Sequence, residues 1–475
     1  MSNLIFHSSF DKIAAPPTIK PCDMKKIFFV SLIVIFTALV ASYFALANSA
    51  YQGSAFAAKN LCSGIFISKM PAQTLIDQAI TPASSVFSFL SYKVDKQNKT
   101  VQTRLFGLYK RSAQFRPQLG CTLLARGETS LPKNIFSGIK KPPLNNQNKI
   151  ETVNTSEKLK QAVDLAFAEN DSRGAKNTKA LIVMHHGKII AERYAKGVDA
   201  TTPLLGWSMT KSISNMLIGI LVRENKLDIN QPAAIAEWAN DERSSITVNN
   251  LLHMSSGLAF NEYNGLNTDV AQMLTQQSSA GHFAANKPLL HPPNQHWSYS
   301  SGSTNILARV IHEHLGGHLQ HSQQFAYKEL FEPLDIQNAY LEPDPSGVFI
   351  GSSFLYLTTR DWAKLGQLML QDGVWRGQRL LPPGWVNYSV TPAKTNHLNK
   401  FGAHFWLNKN PNNPEKQRTW PDVPEDAYAM NGYQGQHVVI IPSKQLVIVR
   451  LGFTPRPARP GMNKLLNKII QMVNS

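Results

Sequence analysis

A serine and a lysine three residues apart open a strongly apolar stretch of this chain. The stretch reads GWSMTKSISNMLIGIL from Gly206 to Leu221, with Ser208 and Lys211 near its start. After Lys211, apolar residues recur at three- and one-residue steps, which predicts a helix that is buried on most sides. Residues three positions apart lie on one face of a helix, so we expect the hydroxyl and the amine to be neighbours.

This pairing is suited to nucleophilic catalysis. The unpaired amides and positive dipole at a helix start favour a developing negative charge on Ser208. Burial disfavours an ammonium ion, so a neutral Lys211 would accept the serine proton. The tetrapeptide by itself is weak, because Ser-x-x-Lys also begins at Ser9, Ser130 and Ser137, where no apolar helix follows. The alternative is that Ser208 only caps the helix and Lys211 reaches solvent.

Two further stretches carry residues that would complete such a site. Tyr299, in WSYSSG, stands two residues before Ser301, and its phenol is suited to passing a proton to a leaving group. Gly432 and Gly435, in NGYQGQ, precede a strand pattern and permit close approach of a ligand. A backbone amide there, together with that of Ser208, would form an oxyanion hole. The alternatives are a buried tyrosine with a satisfied hydroxyl and an ordinary turn before an edge strand.

Together these three elements resemble the serine β-lactamase and DD-peptidase superfamily. The resemblance is closest to its class C β-lactamase-related branch, which includes carboxylesterases and 6-aminohexanoate-dimer hydrolases. SMTK is similar to the Ser-x-x-Lys motif of that branch, YSS to its Tyr-x-Asn/Ser element, and GYQGQ to a Gly-x-x-Gly-Gln form. The stretches ITVNNLLHMSSGL, GSSFLYLTTRDWAKLGQLMLQDGVW and RLLPPGWV support it, and it covers about 155–475.

The resemblance implies a role for each candidate residue. Ser208 would be the acylated nucleophile and Lys211 its base, while Tyr299 would assist proton transfer. Ser301 would line the site, and the amides of Ser208 and Tyr433 would bind the oxyanion. The other residues expected at the substrate or oxyanion are Gly432, Gly435 and Gln436. Acylation by an ester or amide, followed by hydrolysis, requires no metal or organic cofactor.

Two departures from the superfamily pattern argue against β-lactam substrates. The Lys-Thr-Gly of true β-lactamases is replaced by Met430-Asn431-Gly432, so the cation that holds the substrate carboxylate is missing. Tyr-x-Asn has also become Tyr-x-Ser. The sequence therefore predicts an esterase or amidase acting on small or linear substrates. The alternatives are β-lactamase or DD-peptidase activity, and a non-catalytic, membrane-anchored binding protein with the same fold.

The helix and strand patterns that must position these residues indicate an α+β fold over 151–475. Helical spacing appears within 157–170 and again within 463–473, and two strands flank His186-Gly187. Another strand pair turns at 442–444, while the middle of the region is mostly helix and long loop. We expect an antiparallel sheet assembled from both ends of this region and flanked by helices. A mainly helical subdomain would be inserted between the two ends.

The N-terminal part of the chain predicts a location outside the cytoplasm. Residues 27–47 carry no charge and are long enough to cross a bilayer. Lysines precede this segment and none follows until Lys59, which predicts a cytoplasmic N-terminus at 1–26. A signal peptide cleaved after Ala47 is the alternative. Residues 48–150 would form an extracytoplasmic region that ends in the polar stretch KKPPLNNQNK at 140–149.

The cysteines agree with that location. Cys22 precedes the apolar segment, whereas Cys62 and Cys121 follow it and are candidates for one disulfide in an oxidising compartment. The alternative is two buried free thiols.

The composition narrows the class of protein. The 475 residues are 43% hydrophobic with a formal charge of +17, which is typical of a globular protein with a basic surface. Basic residues are scattered and no nucleic-acid motif is found, so nucleic acid is not an expected partner. HEHLGGH is not a His-Glu-x-x-His motif, and its glycines are expected to end a helix before His318, so we expect no metal site. His253, in LLHMSSGL, is expected to be structural.

Overall fold

A computed structural model describes residues 21–125, 128, 130–131, 136–141, 150–169, 174–263, 265–410 and 417–473. The predicted cytoplasmic residues 1–20 and the 142–149 part of the predicted linker lie outside the described residues. The chain divides into two compact units, Met1–Ser49 and Ala50–Ser475.

A long N-terminal helix, α1 (Pro21–Phe66), contains the apolar segment that the sequence predicts. Large apolar side chains between Phe28 and Leu46 are exposed along it, and its mean hydropathy reaches 2.4. By length and composition this helix is able to cross a membrane. A signal sequence would have the same properties.

From Ala50 onward, α1 packs against a four-stranded antiparallel sheet. This sheet has the order β1 (Leu90–Asp95), β2 (Thr100–Leu105), β3 (Leu108–Arg116) and β4 (Gly120–Leu123), and the short helix α2 (Ala72–Leu75) precedes it. A Cβ at Gly53 would lie 2.7 Å from the Leu105 side chain, so the helix and sheet are in close contact. A disulfide joins Cys62 of α1 to Cys121 of β4.

A second, larger sheet is assembled from both ends of the remaining chain. Its strands are β5 (Thr178–His185), β6 (Lys188–Tyr194), β12 (Trp406–Leu407), β13 (Tyr428–Gly432), β14 (Gln436–Ile441) and β15 (Leu446–Gly452). They are antiparallel, in the order β12-β13-β14-β15-β5-β6. The hairpins turn at His186-Gly187 and at Pro442–Lys444, as the sequence predicts. The antiparallel α+β architecture is thereby confirmed.

The segment between β6 and β12 consists of helices, short strands and long loops. Its helices are α4 (Thr210–Arg223), α5 (Val248–Leu252), α6 (Asp269–Thr275), α7 (Ala280–Ala285), α8 (Ser301–His314), α9 (Leu319–Ala326), α10 (Thr359–Leu370) and α11 (Trp385–Ser389). Its short strands are β7 (Leu204–Leu205), β8 (Tyr340–Leu341), β9 (Leu355–Leu357), β10 (Val374–Trp375) and β11 (Gln378–Arg379). β9 pairs with both β7 and β8, and β10 pairs with β11.

Helices cover both faces of the larger sheet, because its central strands are apolar on both sides. On one face, Val439 and Ile448 pack with α3 (Glu157–Phe167) and α12 (Met462–Val473). On the other face, Val438 and Val447 join the main core and lie under α10. A Cβ at Gly366 of α10 would lie 2.6 Å from Val447, so this glycine allows the helix to approach the sheet closely.

Candidate active site

Ser208 lies at the entrance to the buried helix α4. It occupies the 3-10 turn Trp207–Met209 directly before α4, rather than the first turn of the α-helix that the sequence predicts. Trp207 has a positive φ of 48°, which is unusual for a bulky side chain. The helix itself is buried from Thr210 to Leu221, in agreement with its apolar pattern. The turn therefore leaves Ser208 partly exposed at the mouth of an enclosed helix.

Lys211 is almost completely buried, with 1% of its surface exposed. Its Nζ lies 3.0 Å from Ser208 Oγ and 2.9 Å from Ser301 Oγ, and it donates to the carbonyl oxygen of Ser352 at 3.1 Å. Burial lowers the pKa of Lys211 to about 8, while the nearby Glu262 carboxylate opposes that shift. Part of the amine is therefore neutral near physiological pH.

Glu262 is a functional candidate that the sequence analysis missed. Its carboxylate accepts hydrogen bonds from Ser301 Oγ at 2.6 Å and from the Ser301 amide at 2.7 Å. Because Ser301 also contacts Lys211, the three side chains form a continuous network. Burial raises the pKa of Glu262, and the Lys211 charge opposes the shift. The segment NEYN carries no local pattern that separates this glutamate from a surface residue.

Tyr299 also lies beside Ser208 and Lys211. The Lys211 Nζ is 5.0 Å from the centre of the Tyr299 ring, and the phenol interacts with the Ser208 hydroxyl. The ring packs at 5.6 Å against Phe401 and at 5.4 Å against Trp406, which fixes its direction. Burial, together with the Glu262 charge, raises the pKa of Tyr299. The phenol is therefore protonated at neutral pH.

The glycine-rich element lies directly against the turn that holds Ser208. A Cβ at Gly432, the last residue of β13, would be 2.1 Å from the Gly206 carbonyl oxygen. Any side chain at this position would push the two segments apart. The rings of Trp207 and Tyr433 meet edge to face at 5.5 Å. Only glycine therefore allows the end of β13 to approach the turn that holds Ser208 this closely.

Gln436 and Gly435 have a different position from the one the sequence predicts. The Gln436 amide nitrogen donates to the Tyr433 carbonyl at 3.0 Å, and its oxygen accepts from the Gly452 amide at 3.0 Å. The Gln436 side chain therefore joins the turn at Tyr433 to Gly452 of β15 through hydrogen bonds. Gly435, with a φ of 78°, lies over the buried Arg450, whose guanidinium donates to the Gly435 carbonyl at 2.8 Å. The sequence analysis did not single out Arg450.

A cavity of about 300 Å³ opens beside Ser208. Ser208, Glu262, Ser301 and Tyr433 lie on one part of its lining. Apolar side chains contribute much of the rest, among them Phe56, Phe87, Trp207, Leu266, Leu274 and Phe354. The cavity therefore places an apolar space next to Ser208, whose Oγ contacts the Lys211 amine.

The histidines that the sequence analysis considered lie elsewhere. Helix α8 ends at His314, and Gly316 and Gly317 follow with positive φ. Among the described residues, no group of three or more His, Cys, Asp or Glu is placed to hold a metal ion. His253 packs edge to face on Tyr388 at 5.1 Å, and burial lowers its pKa to about 4.

The sequence of this chain is similar to those of known proteins. Residues 163–467 match the family described as "Beta-lactamase". The 6-aminohexanoate-dimer hydrolase of Paenarthrobacter ureafaciens is 24% identical over 298 residues, which cover 59% of this chain and 74% of that protein.

Two solved structures share the fold at low identity. A "Putative 6-aminohexanoate-dimer hydrolase from Bacillus anthracis" has a TM-score of 0.55 at 20% identity, covering 69% of this chain and 87% of that one. A family VIII carboxylesterase has a TM-score of 0.51 at 14% identity, and the match covers 68% of this chain and 99% of that one. Residues 50–125 precede the matched family segment.

Proposed function

This chain belongs to the β-lactamase family and is a serine hydrolase, and we propose that it cleaves small esters or linear amides through an acyl-enzyme on Ser208. The observation that carries the proposal is the contact of the buried Lys211 amine with Ser208 Oγ at 3.0 Å. A lysine whose pKa is lowered to about 8 is suited to serve as a base near neutral pH.

The contacts of Lys211 agree with such a role. A neutral lysine has two N–H groups and one lone pair. The two N–H groups would be used by Ser301 Oγ and the Ser352 carbonyl, which lie 2.9 and 3.1 Å away. The lone pair would then face Ser208, whose hydroxyl would donate its proton as the oxygen attacks the substrate carbonyl.

Tyr299 and the glycine-rich turn would complete the reaction. Because its raised pKa keeps the phenol protonated, Tyr299 is suited to deliver a proton to the leaving group, and the proton that Lys211 took from Ser208 would replace it. The amides of Ser208 and Tyr433 would bind the oxyanion, and the close approach that Gly432 allows would hold those two segments together. Water would then hydrolyse the acyl-enzyme, and Ser208 would recover its proton.

The residues of strand β13 indicate which substrates to expect. The position of the family lysine is taken by Met430 of β13, which is completely buried, and the next residue, Asn431, contacts His437 Nδ1 through its side-chain oxygen at 2.7 Å. No cation stands there to hold the carboxylate of a β-lactam. The Paenarthrobacter relative is named for a linear amide dimer, and the structural neighbour for carboxylic esters. Esters and linear amides are therefore the substrates we propose.

A fluorophosphonate probe tests the nucleophile. Wild-type protein should be labelled, and Ser208→Ala should not. Ser137→Ala is the matched control, because Ser137 also begins a Ser-x-x-Lys sequence but lies away from the cavity. Absence of labelling in folded wild-type protein would favour a non-catalytic binding protein. Rapid nitrocefin turnover would favour the β-lactamase alternative.

We also propose that the apolar part of α1 anchors the hydrolase on the outer side of a membrane. The exposed apolar side chains from Phe28 to Leu46, and the lysines before them, support this arrangement. Alkaline phosphatase fused after Ala47 should be active if the chain is exported, and an inactive cytoplasmic fusion would contradict export. The mass of the mature protein distinguishes an anchor from a cleaved signal.

A further inference from the structure

The segment before the family match forms one wall of the cavity beside Ser208. The cavity is lined by Gln52, Phe56, Lys59 and Asn60 of α1, and by Ala83, Ser84 and Phe87. Sequence comparison alone does not connect this segment with the reaction, because the matched family begins at residue 163.

The wall is aromatic, and it is continuous with the turn Trp207–Met209 that holds Ser208. The Phe56 ring lies 6.1 Å from the Trp207 ring, with an angle of only 11° between their planes, and 5.6 Å from the Phe87 ring. Trp207 immediately precedes Ser208, and its ring lies 5.7 Å from Phe354 on the far side. An acyl group attached to Ser208 would therefore meet an aromatic surface contributed by both segments.

The charged residue in the wall does not change its apolar character. Lys59 lines the cavity, but its amine forms a buried ion pair with Glu342. The Glu342 carboxylate accepts further hydrogen bonds from Ser63 Oγ at 2.7 Å and from the Cys121 amide at 2.5 Å. The charge of Lys59 is therefore compensated within the protein and is not available to a ligand.

The wall is also held rigidly. Ser54 of α1 accepts a hydrogen bond from the Leu105 amide at 2.9 Å, and the Ser68 hydroxyl donates to the Pro203 carbonyl at 2.7 Å. The disulfide of Cys62 joins the same helix to the smaller sheet. A pocket wall that is fixed before binding loses little entropy when a ligand enters.

We propose that residues 52–60 and 83–87 form the acyl-binding wall of the enzyme and select substrates with an extended apolar acyl group. This inference rests on the proposed function. Phe56 and Phe87 would set the length of chain that the cavity accepts, because removing either ring enlarges the apolar space beside Ser208.

A series of p-nitrophenyl esters from acetate to octanoate tests the proposal on the full-length protein. In wild type, kcat/KM should rise from acetate to a longer ester, because each buried methylene contributes to binding. Phe56→Ala should raise the octanoate-to-acetate ratio by about tenfold or more relative to wild type. Phe66→Ala is the matched control, since Phe66 lies on the same helix but packs on Phe115 outside the cavity.

The outcomes separate the two proposals. If Phe56→Ala and Phe66→Ala give the same ratio as wild type while Ser208 is still labelled, the acyl wall is wrong and the hydrolase proposal stands. If wild type is neither labelled nor active on any ester, both are wrong. Should Phe56→Ala fail to fold, Phe87→Leu provides the same comparison, and an unchanged ratio there would overturn the acyl wall.

Discussion

Lys211 Nζ lies 3.0 Å from Ser208 Oγ at a position where only 1% of the lysine is exposed. This relationship joins the hydroxyl of the proposed nucleophile to an amine that has lost most of its hydration. Desolvation disfavours the ammonium form, and it is the largest cause of the lowered pKa of Lys211. The pH dependence of the reaction should therefore report on this one amine.

We expect kcat/KM for ester hydrolysis to rise with pH and to level off above about pH 8, because the base must be neutral and its pKa is lowered to about 8. Lys211→Arg should lower kcat about 10²- to 10⁴-fold, since a guanidinium does not deprotonate. Steady-state rates between pH 6 and 10 measure both effects. A profile that is flat through this range would contradict the assignment of Lys211 as the base.

Glu262→Gln should shift the rising limb of that profile to lower pH. The carboxylate raises the pKa of Lys211, so its removal leaves burial less opposed and the amine becomes neutral at a lower pH. The glutamine retains an acceptor for the Ser301 hydroxyl, which now donates to Glu262 at 2.6 Å. Glu262→Asp is the control that keeps the charge. A limb that stays in place or moves to higher pH would refute this electrostatic role.

Gly432→Ala should reduce kcat without unfolding the protein. The added Cβ would lie 2.1 Å from the Gly206 carbonyl oxygen, so β13 must move away from the turn that holds Ser208. If the oxyanion donors separate, the rate should fall up to about a hundredfold. Gly197→Ala is the control, because Gly197 does not line the cavity and a Cβ there meets nothing within 4 Å. An unchanged kcat in Gly432→Ala would argue against an oxyanion site between these segments.

Lys59→Met should destabilise the protein more than the small change in side-chain size suggests. It would leave the Glu342 carboxylate buried and without its cation, which typically costs about 3–5 kcal/mol. The double variant Lys59→Met with Glu342→Gln should recover part of that loss, since the neutral amide still accepts from Ser63. Urea unfolding of the three proteins measures the difference. Equal stability of wild type and Lys59→Met would show that the pair is not needed.

Replacing both Cys62 and Cys121 with serine should lower the free energy of unfolding by about 4 kcal/mol. This value follows from the entropy of closing a loop between two residues 59 positions apart. Denaturant unfolding of the double variant, compared with oxidised and reduced wild type, provides the measurement. If oxidised and reduced wild type unfold at the same denaturant concentration, the disulfide does not stabilise the fold.

Several features were predictable because their signals are local. The i, i+3 spacing of Ser208 and Lys211 placed the two side chains together, since helix geometry alone decides that neighbourhood. Strand pairs with a two- or three-residue turn predicted the hairpins at 186–187 and 442–444. The uncharged run at 27–47 likewise predicted an apolar helix, because length and composition suffice for it.

The smaller sheet was not predicted, and its strands show why. β1 has mostly exposed or partly exposed residues, so it lacks the clear alternation that marks a half-buried strand. β2 and β3 are connected by a turn at Phe106-Gly107, with no Asn-Gly or Asp-Gly signal between them. These strands are stabilised by packing against α1 rather than by a pattern of their own.

By itself, the sequence predicted Ser208 and Lys211 as candidate nucleophile and base, and it determined the helix that follows Ser208 and the family to which the chain belongs. Only the tertiary structure decided that Glu262 contacts Ser301, that Arg450 holds the Gly435 turn, and that Phe56 lines the same cavity as Ser208. The physical reason is distance along the chain. Residues 39 positions apart, such as Glu262 and Ser301, have no fixed spatial relation until the core between them has packed.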